Sequence, residues 1–594
     1  MKKMRRLLTC FLVVILVTTL FAGCAKEGDE GEPTTKPTET AKVDETEDPG
    51  EITKSPVDII NFFRARWWPD VIDEGSGWED SAVYKHIQEQ TGISYHFEVP
   101  AAAEAEVLGT MIASKTYPDM ISFGSHMNPY IQQMKEAGLI YSITELAKEH
   151  APALLTDDLI TPTLRANFQD ENEELWFYVG FEGDDTSVQA YLDTGFVPTS
   201  GENILYVRKD ILNAWGKNDL TNWEDLNDLL RFTHENYPDV DSIKLDASSD
   251  LLNGYFGRHF LSAFGTHLTR TMVDTENEQL LYIMKDPNAV NYVKWLNSLY
   301  KEGIITDTML ADDTDTVQSK TMAGDYGMII SSTFNASNTI NTTIETNDGN
   351  DDRVYRALSQ VSYEDKDYFQ VETIKNKGAA ATVITKNCEN PDRAIQLIEY
   401  FLTEDGQATG TLGVEGEHWQ WEGDQQVLLP ENLELLSTNL VEYVAKSKTI
   451  GSFTNFARQA SWARYVDNYL TPTGPTRDEH NLLMGPYLTE IWNHGFIQIK
   501  QSIASGSEME TINTQINEVQ LGAIPKMVAA KDDAEFNNLL ESLLSDLEGL
   551  GLSKLEQHWT QEYLKNCENL GLTPWEVLDS KVDVMDVSGL SLIR

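Results

Sequence analysis

From residue 57 onward, short apolar runs alternate with amphipathic stretches. Val57–Phe63 (VDIINFF) has the length and composition of a strand. Ala82–Gln90 places Val83 and Ile87 on one side of a helix, and Gly92 supplies its stop. Ile93–Val99 alternates with period two, as a strand does. Val107–Ser114 then reads as a helix, Asp119–Phe123 as a strand, and Pro129–Ala137 as a helix closed by Gly138. The order βαβαβ predicts a parallel sheet covered by helices.

Further along, helix starts are marked by their caps. Thr221-Asn222-Trp223-Glu224 reads as a capping box ahead of Leu226, Leu229 and Leu230. Asp286-Pro287 sets a cap and an N1 proline before Val290, Val293, Leu296 and Tyr300. Asn390-Pro391 opens another helix, with Ala394, Ile395, Ile398, Phe401 and Leu402 as its stripe. The C-terminal third is mostly helical, and no repeat of 20 to 50 residues is visible.

The N-terminus follows different rules. Lys2, Lys3, Arg5 and Arg6 precede an apolar run from Leu7 to Phe21, shorter than the ~20 residues of a membrane span. Basic residues, a short apolar segment and Ala22-Gly23 predict a signal peptide over 1–23. Cys24 directly after Ala-Gly resembles the lipobox of bacterial lipoproteins, in which the cysteine is acylated. Residues 24–56, rich in Glu, Thr, Pro, Lys and Gly, then read as a lipid-anchored acidic linker. With Cys10 in the signal and Cys24 as the anchor, Cys388 and Cys567 remain, and two free thiols are expected.

Composition narrows the function. The 594 residues carry 45 Lys and Arg against 95 Asp and Glu, a net charge of −50. Without residues 1–23, 41 basic residues face the same 95 acids, giving −54. Such a surface repels nucleic acid and anionic headgroups. The chain contains no Gly-x-x-x-x-Gly-Lys-[Ser/Thr], His-Glu-x-x-His, Cys-x-x-Cys or Gly-x-Ser-x-Gly. Carboxylate pairs are too common here to nominate a glycosidase dyad. The acidic loops at 312–315 and 348–352 read as solvated turns, with calcium ligation as the alternative. The expectation is a protein that is not an enzyme and uses no cofactor.

Several stretches together resemble the family 1 extracellular solute-binding proteins, the lipid-anchored receptors of bacterial ABC sugar importers. They are Thr116-Tyr117-Pro118-Asp119-Met120-Ile121; Tyr206–Leu212 with Trp215-Gly216; Leu299–Ile305 (LYKEGII); Ala379–Asp405; and Gly413–Trp419 (GVEGEHW). The resemblance runs in order from about 57 to 420 and is looser over the last 150 residues. It implies an α/β, two-lobed periplasmic-binding-protein-like fold of type II, with lobes joined by crossing hinge segments. Lobe one is expected at 57–203 and 340–425, lobe two at 204–339 and 426–594. The family's calcium loop falls at Asn236–Asp246 (NYPDVDSIKLD), which lacks its Gly and Glu, so no metal is expected there.

The implied function is capture of an oligosaccharide between the lobes. Delivery to ABC transporter permease subunits would follow, by a monomer lipid-anchored on the outer face of the bacterial cytoplasmic membrane. Sugars are held by aromatic faces and side-chain hydrogen bonds. The candidates are Trp67 and Trp68 after the first strand, and Ser125, His126 and Asn128 after the Asp119–Phe123 strand. Tyr255, Phe256, Phe334 and Asn335 are candidates in the second lobe, with Trp419, Trp421 and Trp462 in addition. Trp215, Trp223, Trp295 and Trp492 lie on helical apolar faces and are expected in the core. The loops named offer only Arg64, Arg66 and Arg258 as cations, which favours a neutral sugar. A peptide or other small-solute receptor of the same fold, a surface glycosidase and an adhesive protein are the rivals.

Overall fold

The computed structural model describes residues 57–63, 76–99, 104–124, 128–170, 172–183, 185–193, 204–245, 250–266, 271–332, 335–363, 366, 376–423, 425–438, 440–449, 456–458, 503, 507–571 and 573–575. Among them no helix is long and apolar enough to cross a membrane.

The N-terminal pattern folds as its periodicity dictates. Strand β1 (Val57–Phe63) lies between β2 (Ile93–Glu98) and β3 (Met120–Gly124), parallel to both. Helices α1 (Ala82–Thr91) and α2 (Glu104–Ser114) make the crossovers that parallel pairing requires. Ser81 caps α1 by accepting the Tyr84 N–H at 3.1 Å, and Gly92 ends it at φ 66°. Beyond β3 come α3 (Asn128–Glu136), α4 (Ile143–His150), α5 (Pro162–Phe168), β4 (Tyr178–Gly183) and α6 (Asp185–Asp193). A late strand, β10 (Asn376–Ile384), inserts antiparallel between β3 and β4, giving the order β2-β1-β3-β10-β4.

A polar ladder crosses this sheet inside the core. The Asn61 amide donates to the Tyr95 hydroxyl (2.6 Å) and to Ser122 Oγ (2.9 Å), and Ser122 bonds Thr382 at 2.8 Å. All four residues are buried, so the ladder fixes the register of four strands.

After β5 (Ile204–Arg208) come a separate hairpin of β6 (Thr271–Asp274) and β7 (Gln279–Tyr282), then β8 (Met328–Ser331) and β9 (Tyr355–Ala357); the second sheet has the order β8-β5-β9, antiparallel throughout. Its core takes α7 (Lys209–Trp215), α8 (Trp223–Asn236), α9 (Gly254–Ala263) and α10 (Pro287–Lys301). Trp223 and Trp295 are buried there among Phe260 and Phe264, while Trp215 is half-buried under Lys217. The last helices, α11 (Glu508–Val528), α12 (Asp533–Leu550) and α13 (Leu552–Leu570), join the same core. Asn297 donates to the carbonyls of Val528 and Ala530 at 2.7 Å, and Glu556 accepts the Tyr282 N–H at 2.8 Å.

Two further stretches complete the cores. Residues 354–361 join the second core, because β9 pairs with β5 through Tyr206 and Ala357. Leu428, Leu436, Tyr443, Val444 and Phe456 join the first. Among the described residues, core membership changes between Val179 and Leu205, between Tyr363 and Ala381, and between Phe456 and Ile503. The expected capping box is shifted by one residue. Asn222 is the cap, accepting the Asp225 N–H at 3.0 Å, and Asp225 accepts the Thr221 hydroxyl at 2.6 Å. Lys217 and Thr221 bonding to Asp225 hold that carboxyl down at about 2.

Candidate functional site

The parallel strands β1, β3 and β4 all end on the edge where β10 begins, since Gly183 pairs with Asn376 and Gly124 with Ala380. The edges reached by strand C-termini are where open α/β sheets receive ligands. The loops that leave this edge carry Trp67, Trp68, Ser125 and His126, which lie outside the described residues. Asn128 opens α3 at the same edge.

The described part of the edge is distorted. The β4–β10 register slips between Lys377 and Ala380. Opposite the slip, Phe181 sits at φ 59° and sends its N–H to the Ala457 carbonyl at 2.6 Å. Gly378 sits at φ 83°, where a Cβ would stand 2.3 Å from Val179 Cγ1 and 2.5 Å from the Gly180 oxygen. No other residue fits there. Bulges of this kind re-aim side chains beside binding sites. Glu182, next to the bulge, accepts the Thr161 hydroxyl at 2.5 Å. Sequence reasoning missed Phe181 and Glu182, because the run YVGFEG reads as turn as readily as strand.

In the second sheet, β5 begins and β8 and β9 end on one edge, marked by Ile204, Ser331 and Ala357. Asn335 follows it, half-buried, with its N–H to Ser332 Oγ at 3.2 Å. Phe334 lies outside the described residues. At the start of α9, Tyr255 is 39% exposed, whereas Phe256 is buried against Phe260. These neighbours separate because one helical step turns Phe256 onto the apolar stripe. Phe256 packs in the core.

The loop ahead of Tyr255 is held firmly. Asp250, at φ 87°, accepts the Leu252 N–H (3.0 Å) and the Gln520 amide (2.8 Å). Gln520 in turn accepts the Tyr282 hydroxyl at 2.6 Å. Tyr292 donates to the Leu251 carbonyl at 2.8 Å, and burial pushes its phenol well up, so it stays a donor. A Cβ on Gly257 would lie 2.7 Å from the Leu251 oxygen, so helix and loop touch backbone to backbone.

The Gly413–Trp419 turn is a structural knot. The Trp419 indole donates to the Gly413 carbonyl (2.8 Å), and His418 Nδ1 accepts the Val414 N–H (3.0 Å). Gly413 is obligatory at φ 94°, where a Cβ would meet the His418 ring at 2.6 Å. Trp419 is therefore spent on the fold. Trp421, on the hairpin of β11 (Trp419–Glu422) and β12 (Gln425–Leu428), is 46% exposed and meets Trp419 edge-on at 5.5 Å. Trp462, Trp492 and Cys24 lie outside the described residues.

The acidic loops are occupied by the protein's own groups. Lys320 bridges Asp312 (2.6 Å) and Asp241 (3.0 Å), the latter within the 236–246 stretch. Asp313 caps the helix Thr314–Ala323, while Asp348 pairs with Arg353 and Asp351 with Lys209. Among the described residues no group of three or more His, Cys, Asp or Glu is arranged for a metal ion. Cys388 and Cys567 are buried free thiols in different cores. Burial pushes the Cys388 thiol up to about 12, so it is inert.

Solved structures share this architecture. The ABC-transporter substrate binding protein FusA of S. pneumoniae, in complex with kestose, is 15% identical, with 87% of this chain and 100% of that chain covered at a TM-score of 0.61. An HMO-binding, ABC-transporter-associated solute binding protein from Bifidobacterium longum infantis is 13% identical, covering 86% and 99% at 0.58. The alginate-binding protein AlgQ2 without calcium ion is 16% identical, covering 86% and 97% at 0.57. At such identities the likeness concerns the two-lobed fold. No curated protein matches the chain. Residues 68–408, more than half of the sequence, match the profile of the bacterial extracellular solute-binding proteins, and the chain belongs to that family.

Proposed function

We propose that the protein captures a neutral oligosaccharide between its lobes and delivers it to the permease of an ABC importer, tethered by an acylated Cys24. The observation that carries this reading is the pair of sheets, each with its own core, each built from segments far apart in the sequence. Two bodies built in this way close around a solute, and ligand binding selects the closed state. On that view the first lobe comprises 57–193 and 376–458, and the second 204–363 and 503–575.

Tyr255 supports a sugar in particular, as an exposed aromatic in the first turn of α9, behind a pinned loop that has lost its ordering entropy in advance. Trp67, Trp68 and Trp421 are the further platforms, with Ser125, His126, Asn128 and Asn335 as hydroxyl partners. The neighbours named for kestose, alginate and HMO binding are in keeping with this class. Calorimetric titration with neutral and uronic-acid oligosaccharides of equal length, at two salt concentrations, tests the reading. Salt-insensitive binding of a neutral sugar is expected. Preferential, salt-sensitive binding of the uronic acid would overturn neutrality, and binding of peptides alone would overturn the class.

A further inference from the structure

Lys448 is a buried cation that makes no ion pair with a carboxylate among the described residues. It directly follows the helix Leu440–Ser447 and is only 6% exposed. Its ammonium makes one bond among the described residues, to the Ser76 carbonyl at 2.6 Å. Buried ammonium groups are ordinarily paired, because desolvation of the charge is otherwise uncompensated. With 95 acids available, an unpaired one is conspicuous.

Two further observations fall on the same spot. Lys448 ends that helix in the left-handed conformation, φ 58°, with its N–H on the Val444 carbonyl at 3.0 Å, which fixes where its side chain departs. Beside it, the Ser76 hydroxyl is buried without a hydrogen-bond partner. Ser447 and Thr449, both buried, satisfy one another at 2.8 Å and so leave the ammonium unserved. An ammonium has three N–H donors and no acceptor, so two donors remain.

The location is the ligand-side edge of the first sheet. Ser76 lies between the end of β1 and the cap of α1, and Trp78 just beyond it donates to the Tyr95 carbonyl of β2 at 2.8 Å. Nine residues after Lys448, Ala457 accepts the Phe181 N–H at the bulge of β4. Gln407 fixes that end through the Phe456 carbonyl (2.8 Å) and the Arg458 N–H (3.0 Å). Lys448 is thus tied through Ser76 and the nearby Trp78 to β2, and Ala457 to β4, the two outer strands of the first sheet.

We propose that Lys448, with the Ser76 hydroxyl, is a ligand-binding group of the first lobe, donating hydrogen bonds to hydroxyl or ring oxygens of a neutral sugar. This rests on the oligosaccharide reading. The negative field of the whole chain supplies the counter-charge, so what the site lacks is acceptor oxygens and not an anion. Shielding from water makes each such bond more discriminating.

The test uses the Lys448→Met and Lys448→Arg variants of the full soluble chain. Melting is followed without ligand, and calorimetry uses nystose, lacto-N-tetraose, mannopentaose and trigalacturonate. The Met variant should melt at or above the wild-type temperature and bind the neutral sugars at least tenfold more weakly, and Arg should recover part of the loss. A Met variant that melts several degrees lower with unchanged Kd would make Lys448 a structural tie and overturn the proposal. A loss confined to trigalacturonate would overturn it in favour of an anion site. A wild-type protein that binds none of the four sugars withdraws the oligosaccharide reading itself, a result distinct from the other two.

Discussion

The Gln520 amide donates to the Asp250 carboxylate across 2.8 Å, joining residues 270 apart in sequence. Through this bond the helical C-terminal third sets the loop that presents Tyr255. Gln520→Leu would leave Asp250 and the Tyr282 hydroxyl short of a partner, at ~1–3 kcal/mol for each buried group. The variant should unfold at lower denaturant and bind ligand more weakly, since the loop is no longer ordered in advance. Tyr255→Ala should weaken binding by ~1–3 kcal/mol if the ring is an anchor, with stability within about 0.5 kcal/mol of wild type. Calorimetry and urea unfolding on both variants check this. Equal stability loss in the two would contradict the division of labour.

Trp419 and Trp421 are two residues apart and should behave in opposite ways. Trp419→Ala removes a buried indole and its bond to Gly413, and should cost ~3–5 kcal/mol of stability. Trp421→Ala, at an exposed position, should change stability by no more than about 0.5 kcal/mol. Chemical denaturation separates them, and a large loss in the second variant would refute the assignment of Trp421 to the surface.

What was legible in the sequence was local. The run VDIINFF forms the strand 57–63 that its apolar length predicts, and Gly92 ends the first helix in the left-handed conformation that glycine favours. The same logic found the helix after Asp286-Pro287. Pairing over long distances was not legible. Nothing in residues 354–361 says that β9 pairs with β5, and the stripe of Leu436, Tyr443 and Val444 would suit either core. The site shows the same limit. Tyr255 and Phe256 are equivalent as composition, and only the phase of the helix against its core separates them. Lys448 carried no signal at all, because what marks it is burial without an ion pair among the described residues.

Anchoring is a separate question, decided at Cys24. If acylation there holds the protein at the membrane, Cys24→Ser should move it from the membrane fraction to the medium. The far-ultraviolet spectrum and melting temperature of the body should be unchanged, since a solvated linker transmits no packing. Fractionation of cells expressing either form checks this, and continued membrane retention of the variant would contradict the lipoprotein reading.

Two histidines give the first lobe opposing responses to pH. His418 is pushed down by burial, with the Glu417 carboxylate offsetting only part of that, and protonation at Nδ1 would break its bond from Val414. A base lowered in the fold binds its proton more readily when unfolded, so this stability is present above about pH 6.5 and lost as pH falls below it. His86 is pushed up by its hydrogen bond to Asp405, 3.0 Å away, which joins the helices Ala82–Thr91 and Glu404–Thr411. Its contribution is present below about pH 6.5 and lost as pH rises through the folded-state pKa. Asp405, pushed down by the same bond, loses its contribution as pH falls through the carboxylate range. The pair therefore stabilises only between about pH 4 and 7. Both side chains reach solvent, so the effect should stay below ~1 kcal/mol. His86→Gln should accordingly be less stable than wild type at pH 5.5 and indistinguishable from it at pH 8.5. Urea unfolding at the two pH values measures this, and a deficit of the same size at both would show that His86 acts by packing and not by charge.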